Sequence, residues 1–293
     1  MTRNSRKLQR NPQPNYDPKA EQVEVETRTP SKNADPTNPF GMSFVVSTSK
    51  VQLPTKGLFY PRDSSLYGVS EVEIKHMTAR EEDLLSTVGT GDDQNVFNRL
   101  ISGILTDKTI DPEGLLDEDK MAILLKARET GYGSKYESTI FCDNCDAETS
   151  AVFDLSKTTI TSSATENQYN PDEDCFSVHL PISDIEIKIR RLTEKNRREI
   201  EKDKEKKESL NIDFNRTISI LKRTIVSANE IVDQATLSKL YEVLPAADAK
   251  FLLNFDQGVI PKLSTAQDVE CSKCTTVLER EAPLSWAFFR TDI

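Results

Sequence analysis

Four cysteines carry the most specific chemistry in this chain. The stretch FCDNCD sets Cys142 and Cys145 three positions apart, and ECSKC repeats that spacing far downstream with Cys271 and Cys274. Two residues between cysteines let one tight turn aim both sulfurs at a single ion. Four thiolates close a tetrahedral zinc shell, with Zn–S bonds of about 2.3 Å. One pair is half a site; two pairs from matching places make a whole one. The 125 residues between Cys145 and Cys271 exceed the usual zinc-ribbon spacing, yet loop-closure entropy grows only logarithmically with length. Two other readings stay open: separate pairs, reduced or disulfide-bonded, and thioredoxin-like redox chemistry. The redox reading needs a CxxC at a helix N-terminus, where the thiol pKa falls. Here each pair is followed by strand-like text, AETSAVFDL and TTVLERE, and the acidic neighbours Asp143, Asp146 and Glu270 should raise a thiol pKa. The fifth cysteine, Cys175, reads as a free thiol.

Little else in the sequence is built for catalysis. There is no GxGxxG, Walker motif, HExxH or nucleophile elbow. The two histidines, His76 and His179, lie in or beside alternating strand text and read as structural, since four thiolates already close a metal shell. Asp92, Asp93, Asp111, Asp117, Glu118 and Asp119 fall in loops and helix starts; the dipole favours carboxylates at helix N-termini, so capping accounts for them without a metal. A non-enzyme is the expectation.

VSEVEIKHMT alternates through Val72 and Ile74, and Thr78 with Glu81 forms a capping box for the helix that follows. Val96, Phe97, Leu100, Ile101 and Ile104 share one helical face. LLDEDKMAILLKARETGYG reads as a helix stopped by Gly131 and Gly133, and YESTIFCDNCDAETSAVFDL as two strands with the CxxC in the turn. The second half runs in the same order. FSVHLPISDIEIKIRRLT alternates, Thr193 caps a charged helix, and FNRTISILKRTIVSANE carries Phe214, Ile218, Leu221 and Ile225 on one helical face. ATLSKLYEVL is helical without a clear counterpart, LPAADAKFLLNFDQG is a helix stopped at Gly258, and VECSKCTTVLEREAPL is again strand, CxxC, strand.

Met77-Thr78 aligns with Leu192-Thr193, Asn98-Arg99 with Asn215-Arg216, and Met121–Leu125 with Ala249–Leu253 or one register beside it. This is a repeat of roughly 120 residues, beyond the solenoid range. The expected architecture is α+β: two related lobes from an internal duplication, residues 43–165 and 166–293, each with a CxxC β-turn knuckle. A zinc-ribbon-like site of four cysteines and one structural Zn2+ would join them. Residues 1–42 hold six of the 14 prolines and almost no aliphatic cluster, so a disordered arm is expected, either passive or folding onto a partner.

Composition narrows the partners. The chain has 293 residues, 36% hydrophobic and 29% charged, with a formal net charge of −10. That charge opposes non-specific nucleic-acid binding, and so opposes a zinc-binding nucleic-acid regulator. No run of about 18 apolar residues is present, so no membrane insertion is expected, and the basic N-terminus lacks the apolar core of a secretory signal. Five cysteines without an export signal suit a reducing cytosol. The segment from Arg190 to Glu208 mixes nine basic with six acidic residues, the pattern of an exposed ion-paired helix. LPTKGLFYP sets Leu58, Phe59 and Tyr60 between prolines, and the C-terminus clusters Trp286, Phe288 and Phe289. Each group either packs on its own fold or offers an apolar anchor to another protein.

LPTKGLFYP, EVEIKHMTAREEDLL, LLDEDKMAILLKARETGYG and FCDNCDAE together resemble the baseplate hub assembly proteins of T4-like tailed bacteriophages. The resemblance runs from about Leu53 to Leu155, and more loosely through the second CxxC to the C-terminus. It implies a role in building the central hub of a contractile-tail baseplate, with phage hub or tail proteins as partners. Some members of that family are hub components and others assembly factors absent from the finished particle. The setting implied is the host cytoplasm during assembly, or the virion tail baseplate. The family carries no catalytic residues, so none transfer. The resemblance does not extend to the arm at 1–42 or the charged helix near Lys202, and so leaves the identity of the partner open.

Overall fold

The computed structural model describes residues 46–86, 93–161, 168–255, 259–283 and 286–289. The described residues begin with a hairpin of β1 (Thr48–Gln52) and β2 (Glu71–Lys75), followed by α1 (Ala79–Leu85), α2 (Asp93–Ile104) and α3 (Asp117–Tyr132). A second hairpin, β3 (Lys135–Phe141) with β4 (Glu148–Asp154), carries the first CxxC, and the short β5 (Thr159–Ile160) follows. Next come β6 (Tyr169–Asn170), β7 (Cys175–His179), β8 (Glu186–Ile189), α4 (Glu194–Ser209), α5 (Arg216–Thr224) and β9 (Ile225–Ala228). The chain continues through α6 (Gln234–Val243), α7 (Ala246–Leu253), β10 (Leu263–Ser264), β11 (Gln267–Glu270) and β12 (Val277–Arg280). One sheet has four strands in the order β6-β7-β8-β9; the pairs β1-β2, β3-β4, β11-β12 and β5-β10 are separate, and all pairings are antiparallel.

Local sequence sets most of these boundaries. The Glu81 carboxylate accepts from the Thr78 N–H at 2.9 Å and from its hydroxyl at 2.5 Å, fixing the start of α1. Thr193 and Asn196 do the same for α4: the Thr193 hydroxyl accepts from the Asn196 N–H, and the Asn196 side chain accepts from the Thr193 N–H, both at 3.2 Å. Gly131 lies inside α3, and it is Gly133, at φ +89°, that ends the helix. One helix expected from the sequence divides in two. Ile225 leaves α5 and pairs with Ile189 as β9. The run Thr224-Ile225-Val226 is β-branched and fits a pleated strand better than a helical turn. Asn98 sits mid-helix in α2 whereas Asn215 caps α5, so the expected match of Asn98-Arg99 with Asn215-Arg216 does not hold in register.

The expected boundary at 165/166 falls within residues 162–167, outside the described residues, as do the arm at 1–42, Gly89, Gly91 and Gly258. The stretches on either side share one core instead of packing as separate lobes. Phe59, from the β1–β2 loop, is fully buried against Tyr169 and Phe176, with ring centroids 5.8 and 6.0 Å away. Phe176 meets Phe255 at 5.2 Å, and Phe288 meets Tyr136 at 5.0 Å. Lys120 of α3 and Glu194 of α4 form an ion pair at 2.9 Å with both side chains at most 10% exposed.

The LPTKGLFYP loop is therefore interior scaffold. Tyr60 donates its hydroxyl to Asp119 at 2.7 Å and accepts from the Leu116 N–H at 2.9 Å. Asp119 also accepts from Thr55, from its N–H at 3.2 Å and its hydroxyl at 2.6 Å. Gly57, at φ +70°, lies so close to the far side of the loop that a Cβ would sit 2.4 Å from the Val69 nitrogen. Asp119 thus pins a distant loop to the first turn of α3, which corrects the capping role expected for it. Asp248 in α7 does the corresponding work in the second half, accepting from the Ile182 and Ser183 N–H groups at 2.9 and 3.0 Å. Asp111 does act as a cap, accepting from the Glu113 N–H at 3.0 Å, while Asp117 pairs with Arg197 at 2.7 Å.

Candidate metal centre

The two CxxC turns meet. All four Sγ atoms lie within 4.8 Å of one another, with Cys142 to Cys274 at 3.6 Å and Cys145 to Cys271 at 3.7 Å. A disulfide would need about 2 Å. The edge of a tetrahedron of thiolates around zinc, at bond lengths of about 2.3 Å, is about 3.8 Å. The spacing therefore fits one shared tetrahedral ion and does not fit two disulfides. The donor set, four thiols and no carboxylate, suits a soft or borderline cation.

Each pair sits in the turn of a hairpin, β3–β4 or β11–β12, and the two turns make equivalent hydrogen bonds. The N–H of Cys142 donates to Ala147 O at 3.0 Å and that of Asp146 to Cys142 O at 2.8 Å. The N–H of Cys271 donates to Thr276 O at 2.9 Å and that of Thr275 to Cys271 O at 2.9 Å. The residue after each second cysteine takes the left-handed conformation, Asp146 at φ +53° and Thr275 at φ +57°. The hairpins are also tied away from the sulfurs. Gln267 accepts from the Asp154 N–H at 2.9 Å and donates to its carbonyl at 3.0 Å, and Arg280 of β12 pairs with Asp143 in the first turn.

The thiols differ from one another. The Thr276 hydroxyl, its N–H and Asn144 favour the thiolate of Cys274, which lies down at about 5. Cys271 is also lowered, first by the hydroxyl of Thr149. Cys145 accepts from the Ala147 N–H, but removal from water and the protons shared among the neighbouring sulfurs prevail and push it up to about 12. The acidic neighbours do not hold all the thiols high, because short-range donors outweigh more distant charges. Cys142 and Cys271 are buried, so the pair of first cysteines forms the inner side of the centre.

The other candidates are placed differently. Phe59 and Tyr60 are at most 2% exposed, and Phe288 and Phe289 at most 5%, so these four fill the core and offer no surface anchor. The Arg128 side chain holds the C-terminal turn by donating to Phe288 O at 3.0 Å. Leu58 is the exposed member of its trio, at 42%; the Trp286 side chain lies outside the described residues. Cys175 is fully buried, with its sulfur 3.5 Å from Glu173. His76 bonds Ser49 at 2.8 Å. Phe141, one residue before Cys142, is 63% exposed, a feature that strand alternation and the pairing of Phe141 with Glu148 account for.

An α+β fold whose two cysteine hairpins converge on one point defines the class. The family described as T4 bacteriophage base plate protein matches over residues 48–281, a span that takes in both hairpins. The chain belongs to that family, and its role is a structural or assembly role tied to the phage baseplate. No curated protein and no solved structure matches it. No helix among the described residues is long and apolar enough to cross a membrane.

Proposed function

We propose that this chain is a non-enzymatic protein that acts in assembly of the phage tail baseplate hub by binding a hub or tail protein in the host cytoplasm, with structural zinc at Cys142, Cys145, Cys271 and Cys274. The family match across both hairpins carries the reading. Zinc bound there would secure the β11–β12 hairpin and the C-terminal turn behind it to α3 and the β3–β4 hairpin. Structural zinc sites contribute apparent folding free energy on the order of 10 kcal/mol or more at pH 7. The matched cysteine turns, which read as zinc knuckles, and the paired roles of Asp119 and Asp248 favour an ancient internal duplication. The same sequence offset separates Asp119 from Asp248 and Cys142 from Cys271. A second reading, a permanent baseplate subunit of the virion, is favoured by the family's description as a base plate protein.

Two measurements test this. Co-expression with the hub and tail proteins of the same phage, followed by pull-down and metal analysis, should recover a stable complex with one zinc per chain. Failure to bind any of them would defeat the assembly role. Mass spectrometry of purified virions then separates an assembly factor, absent from mature particles, from a permanent subunit.

A further inference from the structure

The four sulfurs are not served equally by the residues around them. Thr149 points inward from β4 beside Ala151 and Phe153 and is 1% exposed. A buried hydroxyl is costly without a partner, and the one hydrogen bond Thr149 Oγ1 makes among the described residues is to Cys271 Sγ, at 3.5 Å. Asn144, at the tip of the first turn, reaches across with Nδ2 to Cys274 Sγ at 3.7 Å and to Thr276 Oγ1 at 3.2 Å; Thr276 Oγ1 is itself 3.3 Å from Cys274 Sγ. Both cross-hairpin donors belong to the first hairpin, and both sulfur acceptors to the second. Among the described residues, the sulfurs of Cys142 and Cys145 meet no side chain of the second hairpin as a hydrogen-bond partner other than the cysteines themselves.

Four thiolates around a divalent cation leave a net charge of −2, and donors to sulfur disperse it. Losing a group that orients a ligand in this way typically costs about 10–100-fold in metal affinity. We propose that Thr149 and Asn144 are positioning residues of the metal centre, set by the first hairpin to hold Cys271 and Cys274 for a thiophilic divalent cation. This rests on the zinc reading above and adds an internal order to it: one hairpin prepares the sulfurs of the other. Thr149→Val is close to isosteric and removes only the donor. Asn144→Ala is at an exposed tip, where folding is not at stake.

The full chain is loaded with Zn2+ and titrated against a chromophoric chelator. In parallel, Co2+ is substituted and the thiolate-to-metal charge-transfer band recorded. Thr149→Val and Asn144→Ala should each keep one metal per chain, bind Zn2+ about tenfold more weakly, and move the band to lower energy as the sulfurs become more electron-rich. Thr149→Ser should restore both. Wild-type affinity with an unshifted band in both variants overturns the positioning role while leaving the centre intact. A wild-type chain that takes up no Zn2+ or Co2+ overturns the centre itself and this role with it.

Discussion

Replacing Asp119 by Asn changes charge without changing shape, and the consequence can be worked from its contacts. One carboxylate oxygen accepts from the hydroxyls of Thr55 and Tyr60 at 2.6 and 2.7 Å, the other from the Thr55 N–H at 3.2 Å. Asn can keep an oxygen toward the Thr55 N–H, but its amide then faces two hydroxyls with donors. If Tyr60 accepted from that amide as well as from the Leu116 N–H, its own hydroxyl proton would lose its acceptor. Hydrogen bonds to a charged acceptor are worth about 1.5–3 kcal/mol each, but re-aiming Thr55 recovers part of two of them, and burial, which pushes the Asp119 carboxyl up, makes loss of the charge less costly, so the net loss should be about 1–3 kcal/mol. That is a large share of a domain's stability of about 5–15 kcal/mol. Urea unfolding at neutral pH reads it as a lower midpoint at unchanged slope. Tyr60→Phe removes one of the same bonds, so the double variant should lose about 1 kcal/mol less than the sum of the singles. An Asp119→Asn midpoint equal to wild type, or strict additivity with Tyr60→Phe, would refute the claim that this carboxylate pins the LPTKGLFYP loop to α3.

Cys142→Ser and Cys271→Ser should each abolish zinc retention and lower the melting temperature by similar amounts, since each removes one of four ligands from one site; metal retained in either variant, seen by mass spectrometry under native conditions, contradicts a shared ion. Asp248 titrates with the opposite sign to a buried acid without strong donors. Burial works against its charge, but the hydrogen bonds from Ser183 and Ile182 prevail and hold it below the ordinary carboxyl value of 3.8. Its stabilisation is then present above about pH 4 and lost as pH falls through its lowered folded value. The stability gap between wild type and Asp248→Asn should accordingly close on acidification below about pH 4, and a gap that widens there contradicts the assignment.

The parts of this fold that depend on neighbours in sequence were readable before any coordinates. The Thr78–Glu81 and Thr193 helix starts follow from side chains reaching backbone groups three residues away. The strand–turn–strand reading of both cysteine segments follows from alternation around a tight turn. Ile225 reads as helical because a single apolar residue satisfies a helical face and a strand edge equally, and only its pairing with Ile189 decides between them. Phe59 and Tyr60, flanked by prolines and a glycine, suit a loop packed on its own core and a surface anchor alike. Nothing local reveals that Tyr169, Phe176 and Asp119 receive them. Thr149 gave no signal at all, since a threonine in a strand is ordinary until a sulfur from a distant hairpin is found against its hydroxyl.

Sequence alone determined which atoms could bind a metal, that they came in two equal pairs, and that each pair sat in a turn between strands, because ligand chemistry and turn geometry are properties of a few adjacent residues. Tertiary structure decided that the pairs face each other across one point, that the two halves share one core, and which of the aromatics lie inside it. Those facts depend on contacts between residues more than a hundred positions apart, such as Cys142 with Cys274 and Arg128 with Phe288. Such contacts are settled by packing the whole chain, and no short stretch of it carries the information.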